Sequence, residues 1–201
     1  APVAKLQTWV PKLDANVRDS MQDQVPHTRI YRAWHAPALG ERRLHALELF
    51  ASTLADSASS PLKKSLVFEQ QLATNTNAFV WSGELASMLI VTVDVKAGVS
   101  ALDAERALQA VIDKQLKSGP TNEQIDLART RFLASAARGM ERLGGFGGRA
   151  DVLAESLTTL GTADGYLNRL RDLASMHRLE VTSSAKQWLR LRHYTLTVSP
   201  F

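Results

Sequence analysis

Alternating apolar and polar positions indicate β-strands in five segments of the chain. The clearest alternation begins at Thr28 and ends near Trp34, and the richest β-branched run covers residues 89–95. Successive side chains of a strand point to opposite faces, so this period of two is typical of strands with one buried face. The pattern predicts strands at residues 17–25, where looser alternation suggests a sheet edge, and at 75–83, 87–96 and 193–198. A further strand is predicted to begin at Thr28 and to end near Pro37.

Between these strands, apolar residues recur three and four positions apart, which is the spacing of a helix face. The pattern predicts helices at residues 41–56, 61–71, 100–117, 121–143, 149–160, 165–175 and 182–191. Some helix starts also carry residues that can satisfy the free N–H groups of a first turn. These signals are Ser60 followed by Pro61, and the capping-box pairs Ser100 with Asp103 and Thr121 with Gln124.

The order of the elements favours an α+β fold. Strands follow one another through short turns while helices come in pairs and runs, which predicts a mostly antiparallel sheet with helices packed on one face. No internal repeat or composition shift divides the chain, so residues 1–201 are predicted to form a single domain. Because the chain opens Ala1-Pro2-Val3 without a start methionine, we expect a domain excised from a longer multi-domain protein.

Composition and charge argue against several functional classes. The net charge is +4, but the basic residues are spread along the chain, so no nucleic-acid partner is expected. No apolar run approaches the ~20 residues that span a bilayer, so no membrane span is expected either. The chain has no cysteine, which excludes disulfides and thiolate metal sites. A cysteine-free chain suits an oxidising compartment, and we favour a periplasmic location.

One motif comes close to a metal site. Residues 45–49 read H-x-x-E-L, whereas the inverted zinc-peptidase motif is H-x-x-E-H, with two histidine ligands and a glutamate general base. Leu49 stands where the second ligand belongs, and a catalytic zinc normally has three protein ligands. This chain is therefore predicted to hold no catalytic zinc and to cleave nothing alone, and Leu49 is predicted to lie in the core.

Two other groupings leave alternatives open. His35 ends a predicted strand just before the motif helix and could join His45 and a carboxylate in a metal site. The glycine cluster at residues 144–148 matches no phosphate-binding motif and lies between two helices. It is interpreted either as a helix break or as a mobile peptide-contact segment. In the second case Arg142 and Arg149 would pair with polar groups of a peptide and Phe146 would supply apolar contact.

Several segments together resemble a known family. Two regions are similar to the second domain of pitrilysin (insulinase-like) zinc peptidases: the strand at 29–34 with its His35-Ala36-Pro37 end and the following helix, and the segment at 60–73. The strand pair at 78–95 and the stretch at 142–153 also resemble bacterial members of this family. The resemblance covers nearly the whole chain. It implies an α+β domain of the mitochondrial processing peptidase type, homologous to an adjoining domain that carries H-x-x-E-H.

The resemblance also implies partners. The zinc-bearing domain of the same protein would supply the metal and general base, and the two domains would help to enclose a peptide substrate. No cofactor is expected in this chain itself. Many relatives carry an arginine–tyrosine pair near the substrate, in the half that lacks zinc. The matching segment here offers Phe68 and Thr74, which suggests that the chain belongs to the zinc-bearing half.

The resulting hypothesis is a non-catalytic domain that shapes the peptide chamber of a bacterial-type zinc endopeptidase. The alternative is a structural or assembly subunit, related to the peptidases but without a proteolytic role. An H-x-x-E-H domain just upstream in the parent gene would separate the two hypotheses.

Overall fold

A computed structural model describes residue 7 and residues 9–201 of the chain. The opening residues Ala1-Pro2-Val3 lie outside this described part. The strands are β1 (Val17–Asp23), β2 (Arg29–Ala36), β3 (Ala73–Trp81), β4 (Ser87–Val95) and β5 (Tyr194–Pro200). The α-helices are α1 (Arg42–Ala55), α2 (Ala101–Ser118), α3 (Asn122–Glu141), α4 (Arg149–Leu160), α5 (Gly165–Ser175) and α6 (Arg178–Leu189). A π-helical segment, Lys63–Glu69, lies between α1 and β3.

The strands form one mixed sheet in the order β1-β5-β2-β4-β3. β2 pairs antiparallel with both β4 and β5, and β3 pairs antiparallel with β4. β1 pairs parallel with β5, so the first and last strands lie side by side. The predicted α+β class and mostly antiparallel sheet are confirmed, and β1 lies at a sheet edge as its loose alternation suggested.

One face of the sheet carries the core. Ile30 and Trp34 of β2 are buried together with Leu89, Val91 and Val93 of β4. Helices α1, α2 and α6 contact these strands, while α3 and α5 contact α1 and form an outer layer over it. As a result α1 is enclosed, and every residue from Leu44 to Ala55 is buried. This enclosure positions the H-x-x-E-L motif inside the domain.

The opposite face of the sheet carries no helix among the described residues. The register pairs Phe79 with Ile90 and Trp81 with Met88 on this side. Phe79 is 40% exposed and Trp81 is 65% exposed, although both are aromatic. An antiparallel sheet tolerates one solvated face, but such a face is usually polar. No helix in the described part of the chain is long and apolar enough to cross a membrane.

Helix boundaries differ from the prediction where local capping differs. The Thr121–Gln124 capping box forms in full and starts α3. The Ser100 side chain makes no capping hydrogen bond, and the Asp103 carboxylate accepts from Arg106 instead, so that predicted box is wrong. The helix predicted from residue 182 begins four residues earlier, because the Glu180 carboxylate accepts from the backbone N–H of His177 and caps α6 there.

The helix predicted at residues 61–71 is mostly π-helical. The backbone N–H of Gln70 donates to the carbonyl of Ser65, five residues back, which widens the turn. Ser60 lies just before the segment and its carbonyl accepts from the Lys64 N–H, but its hydroxyl oxygen accepts from the Ser57 N–H, so the predicted side-chain cap does not form. At the end of the segment Gln71 has a φ of 53°, unusual for a residue with a side chain. Sequence periodicity of about 3.6 cannot distinguish this wider turn from an α-helix.

Candidate functional site

Helix α1 presents His45 and Glu48 on one side, one turn apart, as the motif spacing requires. His45 is 1% exposed and Glu48 is 8% exposed. Buried polar groups need partners, because an unpaired one carries a desolvation cost. Both side chains find their partners on α5, which crosses α1 on the side away from the sheet.

The His45 imidazole pairs with an aspartate. Its Nδ1 lies 2.8 Å from Oδ2 of Asp172. The other carboxylate oxygen of Asp172 accepts from the Arg42 guanidinium at 2.7 Å. Arg42 also donates to Glu180 at 2.9 Å. That hydrogen bond lowers the pKa of the Glu180 carboxyl against the opposing effect of burial. The His45 Nε2 is buried and makes no hydrogen bond within the described residues.

Glu48 is held by an arginine. The Arg169 guanidinium donates to its two carboxylate oxygens at 3.0 and 2.8 Å, the two-point geometry that favours arginine–carboxylate pairs. The same guanidinium lies 5.9 Å from the centroid of the Phe132 ring on α3. The carboxylate that would act as a general base in the zinc motif is thus engaged in an ion pair.

The motif residues do not fit a catalytic zinc. Leu49, at the position of the second histidine, is fully buried in the hydrophobic core, as predicted. The two polar residues of the motif are bonded to α5 instead of converging on a common point. Across residues 9–201, no group of three His, Asp or Glu side chains is arranged to hold a metal ion. His35 and His45 line separate cavities, so the alternative site built on both histidines does not form.

The glycine-rich loop joins α3 to α4 and carries the three predicted peptide-contact residues. Gly145 and Gly147 adopt φ values of 81° and 69°, which side-chain-bearing residues rarely adopt. Arg142 donates to the carbonyl of Phe146 at 3.1 Å. Arg149 donates to the carbonyl of Met140 at the end of α3 from two nitrogens, at 3.0 and 2.8 Å. Both arginines therefore help to hold the loop and the helix end.

Phe146 projects from the same loop and is 98% exposed. A groove of about 270 Å³ runs from Gly147 of the loop to Arg169 beside the motif helix. A second cavity of about 240 Å³ lies beyond Arg169 and is bordered by His45. The loop and the motif helix are thus connected along one surface by Arg169.

Arg169 and Asp172 were not predicted from the sequence. They lie 121 and 127 positions from their partners, so no local pattern links them to the motif. A signal did exist. Arg169 and Asp172 are one turn apart on α5, the same spacing that separates Glu48 and His45 on α1, and their side chains are chemically complementary to that pair. Phe68 and Thr74, the residues that replace the family's arginine–tyrosine pair, are both exposed.

Comparison with known proteins places this geometry in a family. The fold is similar to a protease from Helicobacter pylori with a TM-score of 0.82 at 16% identity, covering 94% of this chain and 46% of that one. The inactive peptidase domain of a candidate zinc protease from Bordetella parapertussis gives a TM-score of 0.79 at 18% identity, covering 90% and 95% of the two chains. A peptidase M16 inactive domain from Pseudomonas fluorescens gives 0.76 at 15% identity, covering 99% and 46%.

At these identities the likeness is one of fold. This chain spans about half the length of the Helicobacter and Pseudomonas proteins. No match was found among curated proteins. A family model described as the peptidase M16 inactive domain matches residues 3–132, a range that includes the motif helix and ends before the glycine-rich loop. The chain therefore belongs to the family of peptidase M16 inactive domains.

Proposed function

We propose that this inactive domain forms one wall of a peptide-binding chamber, beside a zinc-bearing domain of the same, longer protein. The observation that carries the proposal is the degenerate motif helix. It keeps His45 and Glu48 but bonds both to α5 and places Leu49 in the core. The helix retains two of the three residues of a zinc-binding motif, while their side chains stabilise the domain. Zinc and the general base would then come from the partner domain.

Metal content and hydrolysis test this proposal. We expect zinc and peptide cleavage in the parent protein, and neither in this chain alone. His45→Ala made within the parent should leave its zinc content unchanged, because His45 pairs with Asp172 instead of a metal. Loss of stoichiometric zinc in that variant would contradict the proposal. A parent that holds no zinc and cleaves no peptide would favour the alternative of an assembly subunit.

The exposed loop is the proposed peptide contact. Phe146 has no packing role to lose, since it is 98% exposed, so its loss should affect binding more than folding. In the parent enzyme we expect Phe146→Ala to raise the peptide KM several-fold and to leave the unfolding temperature of the domain unchanged. Leu179→Ala is the matched control, because Leu179 is 76% exposed on α6, away from the loop.

Variants of the two arginines beside the loop are measured in the same assay, but a change in binding must there be compared with a change in stability. Arg142 and Arg149 donate to backbone carbonyls, so removing either is expected to alter both loop order and peptide binding. If Phe146→Ala and Arg149→Ala lower stability while KM and kcat stay unchanged, the loop is a structural helix break. That result would end the peptide-contact proposal.

We also propose a periplasmic location. Its support is the absence of cysteine, which avoids unwanted disulfides in an oxidising compartment. Fractionation of cells that express the parent protein tests it. Recovery with cytoplasmic markers would contradict the proposal.

A further inference from the structure

A basic cleft lies at the end of the sheet, apart from both the motif helix network and the glycine-rich loop. It has a volume of about 750 Å³. Its walls come from residues 10–13 before β1, the end of β2, the start of α1 and the end of α6. Ligand-binding clefts commonly have about 300–1,000 Å³, so this cleft has room for a segment of a few residues.

Unpaired positive charge distinguishes the cleft. Lys12, Arg43, Arg190 and Arg192 all line it and are all exposed. None of these four cations has a carboxylate within ion-pair distance in the part of the chain that the structure describes. The only carboxylate in the lining is that of Glu41, which accepts from the backbone N–H of Ala38 at 3.2 Å. A cleft lined mostly by one sign of charge concentrates ligands of the opposite sign.

Several arginines near the sheet do reach carboxylates. Arg18, Arg29 and Arg42 each pair with one, on Glu105, Asp94 and Asp172 respectively. The cleft differs from these positions because four cations without such partners line one concavity.

Apolar side chains stand between the cations. Leu13, Trp188 and Leu191 line the same cleft. Trp188 is partly buried against the core, so its ring is held in place in the lining. A ligand that offers oxygen acceptors as well as apolar groups would suit this lining. A concave site with alternating charge and apolar surface fits a peptide better than a nucleic-acid backbone, which favours extended basic surfaces.

We propose that this cleft binds an acidic peptide segment, with glutamate or aspartate side chains paired to Arg43, Arg190 and Arg192 and apolar side chains against Trp188 and Leu191. The proposal goes beyond the chamber function. It requires only residues of this chain, so the isolated chain suffices to test it.

Binding of a defined probe tests the proposal. The probe is a fluorophore-labelled heptapeptide of alternating glutamate and leucine, followed by fluorescence anisotropy, and its reference is the same peptide with glutamine in place of glutamate. We expect the acidic peptide to bind and the glutamine peptide to bind about tenfold more weakly, because glutamine cannot form ion pairs with the cations of the cleft. Binding should weaken as salt is raised, because salt screens exposed charges.

Two matched double variants locate the site. Arg190→Gln with Arg192→Gln removes two cleft charges and should weaken binding of the acidic peptide by about tenfold. Arg131→Gln with Arg138→Gln removes the same charge from exposed positions on α3 and should change it less than about twofold. All four arginines are exposed, so folding should survive, and circular dichroism melting checks this. The intrinsic fluorescence of Trp188 gives a second readout, isolated by comparison with Trp188→Phe.

Three results would overturn the proposal. Equal loss of binding in both double variants would show general electrostatic attraction and no specific cleft. Equal binding of the acidic and glutamine peptides would show that the cations are not used. A single-stranded DNA oligomer that binds more tightly than the acidic peptide, and loses affinity only in the Arg190/Arg192 variant, would identify the cleft as a nucleic-acid site.

Discussion

At the scale of single residues, Leu49 occupies the position of the second histidine in the zinc motif. A histidine there would extend a zinc motif, whereas the leucine joins the core and is fully buried. We expect Leu49→Ala to lower the free energy of unfolding by about 2–5 kcal/mol, the usual cost of truncating a buried leucine. Urea denaturation measures this. Leu157→Ala on α4 is the control, because Leu157 is 54% exposed, and an equally small effect at both positions would contradict the core assignment.

His193 gives a pH dependence at the same scale. Burial, assisted by the nearby charge of Arg32, lowers the pKa of His193 from 6.5 to about 4. The unfolded chain therefore takes up a proton at a higher pH than the folded chain does, so stability falls as pH decreases from 6.5 to about 4. The centroid of the His193 ring lies 5.5 Å from that of the Trp34 ring, so the two rings are in contact.

We expect His193→Phe, which keeps a ring in this position, to reduce that loss of stability. Thermal unfolding of both proteins at pH 7 and at about pH 5 measures the difference, since the ordinary histidine pKa lies between these values. His177→Phe is compared in the same way, with its own stability at pH 7 as the reference, because His177 is exposed but takes part in the capping box of α6. The assignment would be contradicted if the His193→Phe protein lost as much stability as the unchanged chain.

At the scale of elements, local sequence predicted most strands and helices because their signals are local. The alternation of apolar and polar residues predicted β2 and β4, and the Thr121–Gln124 capping box predicted the start of α3. The start of α6 was missed because the residue at its N-cap is His177, whereas the usual sequence signal at that position is serine, threonine, aspartate or asparagine. The π-helical segment was missed because its wider turn leaves no distinct apolar period.

The candidate site was likewise predictable only where its signals are local. The motif identified His45, Glu48 and Leu49 from the sequence. The absence of the second histidine ligand predicted that the motif would hold no catalytic zinc. The partners on α5 could not be inferred, because pairing between helices more than 120 positions apart is decided by packing of the whole domain. The resemblance of segment order supplied the family, which the pattern of apolar residues alone did not.

The contact between α1 and α5 is itself testable. Removing Arg169 leaves the Glu48 carboxylate, whose side chain is 9% exposed, without its two hydrogen bonds. We expect Arg169→Ala to lower the free energy of unfolding by about 2 kcal/mol, in the range for hydrogen bonds to charged groups. The value is moderated because the Arg169 side chain is 42% exposed and partly screened by water.

A double-mutant cycle isolates this pair. Glu48→Ala, Arg169→Ala and their combination are compared by urea denaturation. If the two residues stabilise the domain through each other, the double variant should be less destabilised than the sum of the single variants. Strictly additive effects would show that the ion pair contributes nothing of its own.

At the scale of the whole molecule, the uncovered sheet face is the surface on which we expect the proposed zinc-bearing domain to bind. The similar proteins from Helicobacter and Pseudomonas are about twice as long as this chain, so a neighbouring domain of the kind proposed would need a contact surface. Phe79 and Trp81 are aromatic, exposed and adjacent to Ile90 and Met88 on the face that carries no helix in the described structure. Large exposed apolar patches commonly mark interaction surfaces.

We therefore expect Trp81→Ser to weaken the association of this domain with the proposed zinc-bearing domain while changing its own stability little. The side chain is 65% exposed, so its loss removes little packing within the domain. Separately expressed domains, mixed and analysed by sedimentation or calorimetry, should show at least about a tenfold weaker association, the equivalent of about 1.4 kcal/mol. Phe68→Ser is the matched control, because Phe68 is an aromatic residue that is 59% exposed on the π-helical segment. Equal affinity of the Trp81→Ser and unchanged domains would show that the interface lies elsewhere. An equal loss of affinity in the Trp81→Ser and Phe68→Ser variants would indicate non-specific apolar association.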